Sequence, residues 1–414
     1  MRRGATDAVR VSRGDAKTRR LSPDGRGSFF ATRQIPRVPW PKVKLGDIGR
    51  VAMCKRILKC ETTDTGEIPF FKIGTFGKTA DAFIAKDRFE YYRAHYSYPK
   101  KGSVLISAAG TIGRLVIFNG EPAYFQDSNI VWLEHDGQRL CDKYLYYFLL
   151  GHEWQISQGA TIQRLYNDDV RRTEIDLPPL PIQCRIADIL SAYDDLIENN
   201  RRRIAILEET ARLAYRKWFG GGEGRTVTLG EVCQSFGGGT PKTNVTEYWN
   251  GDVPWVVPTD VTRNSCLALL DTERKITALG LEKSSAKMLP ANAILMTSRA
   301  SVGYFAIADF PVCTNQGFIS IVPNDAAWRW YLLFNLMSRV EEIRGNAKGS
   351  TFPEISRARF RSIDISVPDK ESLEAFNDIV TPLMQQVRTL SKQSVVLAAA
   401  RDMLLPRLMK GGMA

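Results

Sequence analysis

Histidine is almost absent from this chain: His95, His135 and His152 are the three in 414 residues. None stands in a pattern with a Ser or Cys nucleophile, so surface or core roles are expected of them rather than proton transfer. Cysteine is sparse as well. Cys54, Cys60, Cys141, Cys184, Cys233, Cys266 and Cys313 form no CxxC pair and no cluster with the histidines, which argues against a zinc site and a disulfide framework and fits a reduced cytoplasm. No run approaches the roughly 18 consecutive apolar residues of a membrane span. Catalytic signatures are missing too. There is no Asn-Pro-Pro-aromatic run of the methyltransferase kind and no GxxxxGK[ST] phosphate loop; the glycine-rich stretch Gly237–Thr243 contains Pro241, which removes one of the N–H donors such a loop needs. Pro258-Thr259-Asp260 with Glu273-Arg274-Lys275 bears a loose likeness to a carboxylate-held Mg²⁺ site, but the first half of the chain has no counterpart. The chain is therefore read as non-catalytic, without a metal or cofactor of its own.

What is present is positive charge. Lys and Arg number 57 against 45 Asp and Glu, a net +12, which favours an anionic, polyphosphate partner. Much of the excess sits in residues 1–38, where ten basic residues face Asp7, Asp15 and Asp24. That stretch has no apolar segment of signal-peptide type and reads as a disordered basic tail, either solvated or a supplementary nucleic-acid-binding arm.

The decisive feature is an internal repeat with a period near 190 residues. Leu45-Gly46-Asp47-Ile48 matches Leu229-Gly230-Glu231-Val232, and Ile68-Pro69-Phe70-Phe71 matches Val253-Pro254-Trp255-Val256. Ser107–Gly113 matches Thr297–Gly303, Phe125-Gln126 matches Asn315-Gln316, Gln158–Thr161 matches Lys348–Thr351, and Ile175–Pro178 matches Ile365–Pro368. Each copy opens with about 140 residues of short β-branched runs, such as Ser103–Ile106 and Leu115–Phe118, broken by Gly and Asn-Gly turns.

Each copy then closes on a long helical pattern. Ile186, Leu190, Tyr193, Ile197, Asn200, Ile204, Leu207, Ala211, Ala214 and Trp218 alternate at spacings of four and three, the seam of a coiled coil. Phe376, Val380, Leu383, Val387, Leu390, Ser394, Leu397, Arg401, Leu404 and Leu408 repeat the register in the second copy. At 1.5 Å per residue, a helix of about 35 residues reaches about 50 Å, a spacer longer than a small domain is wide. Gly220–Gly222 ends the first helix, and Pro382 predicts a kink or a later start for the second. The expected fold class is α/β (α+β): a basic tail 1–38; a mixed domain 39–183; a long helix with its Gly linker, 184–222; a second mixed domain 223–370; and a last helix 371–414, the two helices pairing antiparallel.

Leu213–Phe219 at the end of the first helix, Arg401–Met409 in the last, and Gly237–Thr243 followed by Tyr248–Trp255 resemble segments of the specificity subunits of type I restriction-modification systems. The resemblance runs over about residues 39–414. It implies two target-recognition domains, each reading half of a bipartite, asymmetric double-stranded DNA site, and helices that set the spacing and dock methyltransferase (modification) subunits. S-adenosylmethionine, ATP and Mg²⁺ would belong to those partners and to restriction/translocase subunits. The first copy lacks the Gly-Gly-Thr-Pro opening and has Cys54–Cys60 there instead.

DNA contact needs Lys or Arg for phosphates and forked or amide side chains for base edges, held on loops. Lys55, Arg56, Lys59, Lys72, Lys78, Arg114, Gln163 and Arg164 answer this in the first copy. Thr240, Lys242, Thr243, Arg263, Arg299, Lys348 and Thr351 do so in the second. Trp249, Trp255, Trp328 and Trp330 read as core anchors, and Tyr144–Leu150 with Trp330–Leu336 as buried helices. The competing reading is a repeat-built assembly module that binds protein or RNA.

Overall fold

The computed structural model describes residues 40–154, 163–221, 224–349 and 353–411. The basic tail and Thr351 lie outside them.

The two copies fold to one plan. In the first, Arg50–Ala52, Ile130–Glu134, Val104–Ser107 and Leu115–Ile117 form an antiparallel sheet in that order, and a second sheet sets Ile68–Phe71 between Phe83–Ile84 and Tyr124–Phe125. In the second copy Cys233–Gly237, Phe318–Pro323, Ile294–Thr297 and Phe305–Ala308 repeat the first sheet, with Ala268–Leu269 added parallel at its edge. Trp249–Val256 lies between Arg274–Ile276 and Cys313–Thr314 in the smaller sheet. A two-stranded ribbon closes each copy: Lys42–Lys44 pairs with Glu174–Asp176, and Arg225–Thr228 with Asp364–Val367. The expected buried helices are Asp142–Leu150 and Arg329–Ser338, and each ties itself to the closing ribbon, Tyr144 donating to the Asp176 carbonyl at 2.7 Å and Tyr331 to that of Ser366.

The long helices run Leu180–Phe219 and Lys370–Met409, 40 residues each, about 60 Å by the α-helical rise. The central helix starts four residues ahead of the expected Cys184, because Pro181 falls in its first turn, where a missing N–H costs nothing. The last helix corrects the expectation of a later start. Asp369 caps it by accepting from the Ser372 N–H at 2.8 Å, Leu373 and Phe376 bury its first turns, and Pro382 falls on an exposed face inside it. Asn200 donates to Ser394 and Asp194 pairs with Arg401, so the two helices run antiparallel.

The seam is neither uniform nor dry. At one end Ile186, Ala187 and Leu190 join Leu405 and Leu408 in the core of the first domain. At the other, Ile204, Ala211 and Tyr215 join Leu373, Phe376, Val380, Met384, Val387 and Leu390 in that of the second. Each large side chain so buried contributes about 1.5–3 kcal/mol. Tyr193, Ile197 and Leu397, between these ends, are half-buried, as are Leu207, Leu383 and Leu404. Beyond Ile204 the spacing shifts: Glu208 and Tyr215 are buried, while Trp218, placed on the seam by its heptad position, is 39% exposed.

Candidate nucleic-acid interface

The same turn is built twice. The Ser107 hydroxyl donates to the Thr111 carbonyl and accepts from the Arg114 N–H at 2.8 Å; Thr297 donates to Ser301 and accepts from Tyr304 at 2.9 Å. The Gly113 and Gly303 N–H groups return to the carbonyls of Ser107 and Thr297, both at 2.9 Å. Their φ values of 78° and 87° lie in the left-handed region that favours glycine, and Gly110 at 63° is matched by Ala300 at 61°. The turn is then tied to a later strand-like segment, Leu165 to the Ala108 carbonyl at 2.8 Å and Ile355 to that of Ser298 at 3.0 Å.

Around this turn the first domain gathers Lys72, Lys78, Arg114, Gln163 and Arg164. Arg114 reaches back to the Phe76 carbonyl at 2.9 Å, Arg164 donates to the Ser128 carbonyl, and Lys72 pairs with Asp81 at 2.9 Å, while Lys78 and Gln163 are exposed. Gln126 stands among them, its Oε1 accepting from the Ile73 N–H at 2.9 Å. The Lys55 ammonium instead lies 5.1 Å from the Tyr96 ring centre, beside the helix Lys86–His95. Arg56 and Lys59 are exposed, and no side-chain bond among the described residues joins them to the loop at Gln126.

In the second domain one groove is lined by Thr240, Pro258, Arg299, Ala300, Asn315 and Gln316. Thr240 donates to the Gln316 amide oxygen, Arg299 pairs with Glu354 at 3.7 Å, and Lys348 exchanges both backbone bonds with Glu354, at 3.0 and 2.9 Å. Lys242 and Thr243 are exposed farther along the same loop, and Arg263 does not join the set. It faces Glu273 at 3.9 Å and lines a separate cleft with Ile197, Arg201 and Ser394 of the long helices. A further basic residue stands where this loop begins. Arg357 is exposed and lies beside Gly237, where an added Cβ would come 3.4 Å from its Nε, and it makes no ion pair among the described residues. Its signal was the short run Arg357-Ala358-Arg359-Phe360-Arg361.

Asp260, the residue a nuclease would need free, accepts from two backbone N–H groups, Val257 at 2.8 Å and Glu273 at 3.1 Å. It caps a turn. No group of three or more His, Cys, Asp or Glu among the described residues could hold a metal ion, and no described helix is long and apolar enough to cross a membrane. The cysteines are free, and burial pushes the Cys54, Cys233 and Cys313 thiols up to about 12, away from reactive thiolate. Trp255 is buried and Trp249, Trp328 and Trp330 half-buried.

Two domains of one design, each carrying a loop face of amides and arginines and each rooted at an opposite end of an antiparallel helix pair, make this a two-headed protein. The family model of the type I restriction modification DNA specificity domain matches twice, at residues 37–209 and 223–395, and the chain belongs to that family. A putative type I restriction enzyme specificity subunit of Haemophilus influenzae is 51% identical over 173 residues, 42% of this chain and 45% of that protein. The HindI specificity subunit of the same organism is 22% identical over 399 residues, covering 75% of this chain and 86% of its own length. The match to the first of these thus spans less than half of that relative. The crystal structure of the S subunit of a type I restriction-modification system from M. genitalium has the same fold, with a TM-score of 0.58 at 18% identity over 91% of this chain and 97% of that one.

Proposed function

We propose that this chain is the DNA-reading, non-catalytic specificity subunit of a type I restriction-modification complex, each domain reading one half of a bipartite duplex target. The observation that carries this reading is the duplicated loop face at the two ends of one rigid pair of helices. Ala187 and Ala211, buried under the first and second domains, are 24 residues apart on the central helix. That separation is about 36 Å at 1.5 Å per residue, close to one turn of duplex DNA. Two readers so spaced meet the same groove on one side of the double helix.

Between the domains the helices leave Leu196, Val395, Val396 and Met403 half or more exposed. This apolar waist is where methyltransferase subunits would dock, bringing S-adenosylmethionine chemistry; restriction/translocase subunits would add ATP- and Mg²⁺-dependent steps, all in the cytoplasm. The family supports DNA over the protein- or RNA-binding module, which no feature of the loop faces favours.

The test is to assemble the full chain with type I methyltransferase subunits and map the methylated sites. One bipartite motif is expected, with affinity falling steeply as salt rises, because each phosphate contact releases counterions. Methylation without sequence preference, or preferential binding of single-stranded RNA, would overturn the proposal.

A further inference from the structure

Two amides occupy one position in the two domains. Phe71 pairs with Phe125 in the first copy, and Val256 with Thr314 in the second, and the next residue in each case donates its N–H back across the ladder, Gln126 to the Phe71 carbonyl and Asn315 to that of Val256, both at 3.0 Å. Gln126 and Asn315 are therefore structural equivalents. Laying Phe125-Gln126 on Asn315-Gln316, as the 190-residue period does, is one residue out of register here.

Both amides are also held by their oxygens, though from different loops. Gln126 Oε1 accepts from the Ile73 N–H, and Asn315 Oδ1 from the Gly317 N–H, each at 2.9 Å. A backbone N–H can only donate, so in each amide the oxygen is the atom turned to the loop, and the NH₂ group is left over. Neither NH₂ has a hydrogen-bond partner among the described residues, and neither is sealed from solvent. Asn315 lines the groove with Thr240 and Arg299, and Gln126 stands between the loops that carry Lys72, Arg114 and Arg164. The surroundings have diverged, from Asp127 and Ser128 in one copy to Gln316 and Gly317 in the other, while an amide held by its oxygen persists.

Resting on the DNA-reading function above, we propose that Gln126 and Asn315 are matched base-reading residues which present only donors, so that each half-site carries at that position an acceptor edge, guanine N7/O6 or thymine O4. The grip that amides commonly take on adenine needs oxygen and nitrogen turned together to one base. Here the oxygen is held by the protein, so adenine keeps only its N7 acceptor beside an N6 amine that repels a second donor, and is disfavoured against guanine with its two acceptors.

The experiment uses the full chain assembled with methyltransferase subunits and a pool of randomised duplexes, comparing the unaltered protein with Gln126→Glu, Asn315→Asp and Gln126→Met. Glu and Asp keep an oxygen for the anchoring N–H and replace the donor by an acceptor. Gln126→Glu is expected to shift the preference at one position of one half-site by about tenfold, from guanine or thymine to cytosine or adenine, whose exocyclic amines donate. Asn315→Asp is expected to do the same in the other half-site only. Gln126→Met, with no donor, should make its position degenerate without redirecting it. An unaltered protein that selects adenine at the responsive position, Glu and Met variants that behave alike, or a loss of affinity equal over all sequences would each overturn the proposal while leaving the functional reading intact. Failure of the unaltered protein to select any motif would overturn the functional reading itself.

Discussion

Asn200 on the central helix donates from Nδ2 to Ser394 Oγ on the last helix across 3.4 Å, a polar contact near mid-length of the helix pair. It lies between the apolar clusters at either end, and Asn200 is itself buried. A slip of one heptad would leave its amide against Val387 in one direction, at a cost of about 1–3 kcal/mol, and against the Arg401 guanidinium in the other. Replacing Asn200 with Leu is therefore expected to keep or raise resistance to urea while relaxing the register. The check is methylation mapping: the variant should modify sites with more than one spacer length, and a single unchanged spacer would show that the registry is set elsewhere.

Asp194 joins three elements. Its Oδ2 accepts from the Tyr147 hydroxyl at 2.6 Å, and its Oδ1 pairs with Arg401, so the first domain, the central helix and the last helix meet at one carboxylate. Asp194→Asn should lower unfolding stability by about 1.5 kcal/mol, the scale of a hydrogen bond to a charged group in a partly exposed site. Urea denaturation of the variant beside Tyr147→Phe measures it, and the asparagine variant should lose more.

Glu208 is buried beneath the second domain and accepts from the Leu267 N–H at 2.6 Å. Burial holds its carboxyl above the usual range, with that hydrogen bond opposing the shift. A raised carboxyl value means that the folded state favours the protonated form, so this group's contribution to stability grows as pH falls and is lost as pH rises through the folded value. Glu208→Gln keeps an oxygen for Leu267 and removes the charge. It should melt higher than the unaltered chain at neutral pH, and the difference should close as pH falls towards about 4.3, the value in the unfolded chain. A gap that widened in acid would reverse the assignment.

If the helices act as a ruler, both must be lengthened together. Ile204 lies under the second domain, so the place to insert is the uncovered stretch between the domains, after Glu198 in the central helix and after Val395 in the last. Four residues in each add about 6 Å and slightly more than a whole turn, about 400° of rotation, so the domains keep roughly their facing. The spacer between half-sites should grow by one or two base pairs with the half-site sequences unchanged. Two-residue insertions, about 200°, should abolish paired recognition. Methylation mapping reads both.

The duplication was legible in the sequence because matched side chains do matched work: Ser107 and Thr297 support the same turn with the same two hydrogen bonds. The closing helices were legible for the same reason, since Ile186, Leu190, Val380 and Val387 are apolar where the heptad demands it. Three things were hidden. The stretch from Ile117 to Tyr124 is one residue longer than the stretch from Ile307 to Cys313, which puts the paired amides one residue out of the 190-residue period. The shift of the seam at Glu208 could not be seen, because a glutamate reads as solvated until a backbone N–H is found bonded to it. Arg263, a charge in a loop, lines the cleft beside the long helices, opposite Glu273, and not the groove at Asn315.

The ribbons that close each copy, Lys42–Lys44 on Glu174–Asp176 and Arg225–Thr228 on Asp364–Val367, bring the point where the chain enters a domain next to the point where it leaves. Genetically, this makes each reader a cassette. A crossover in the DNA encoding the helices carries a whole sheet system, with both its closing strands, from one gene to another, and the recipient keeps its scaffold. On the DNA-reading function proposed above, new target sequences would thus arise by recombination in a single event, without a succession of point changes that would each have to preserve a folded and discriminating protein.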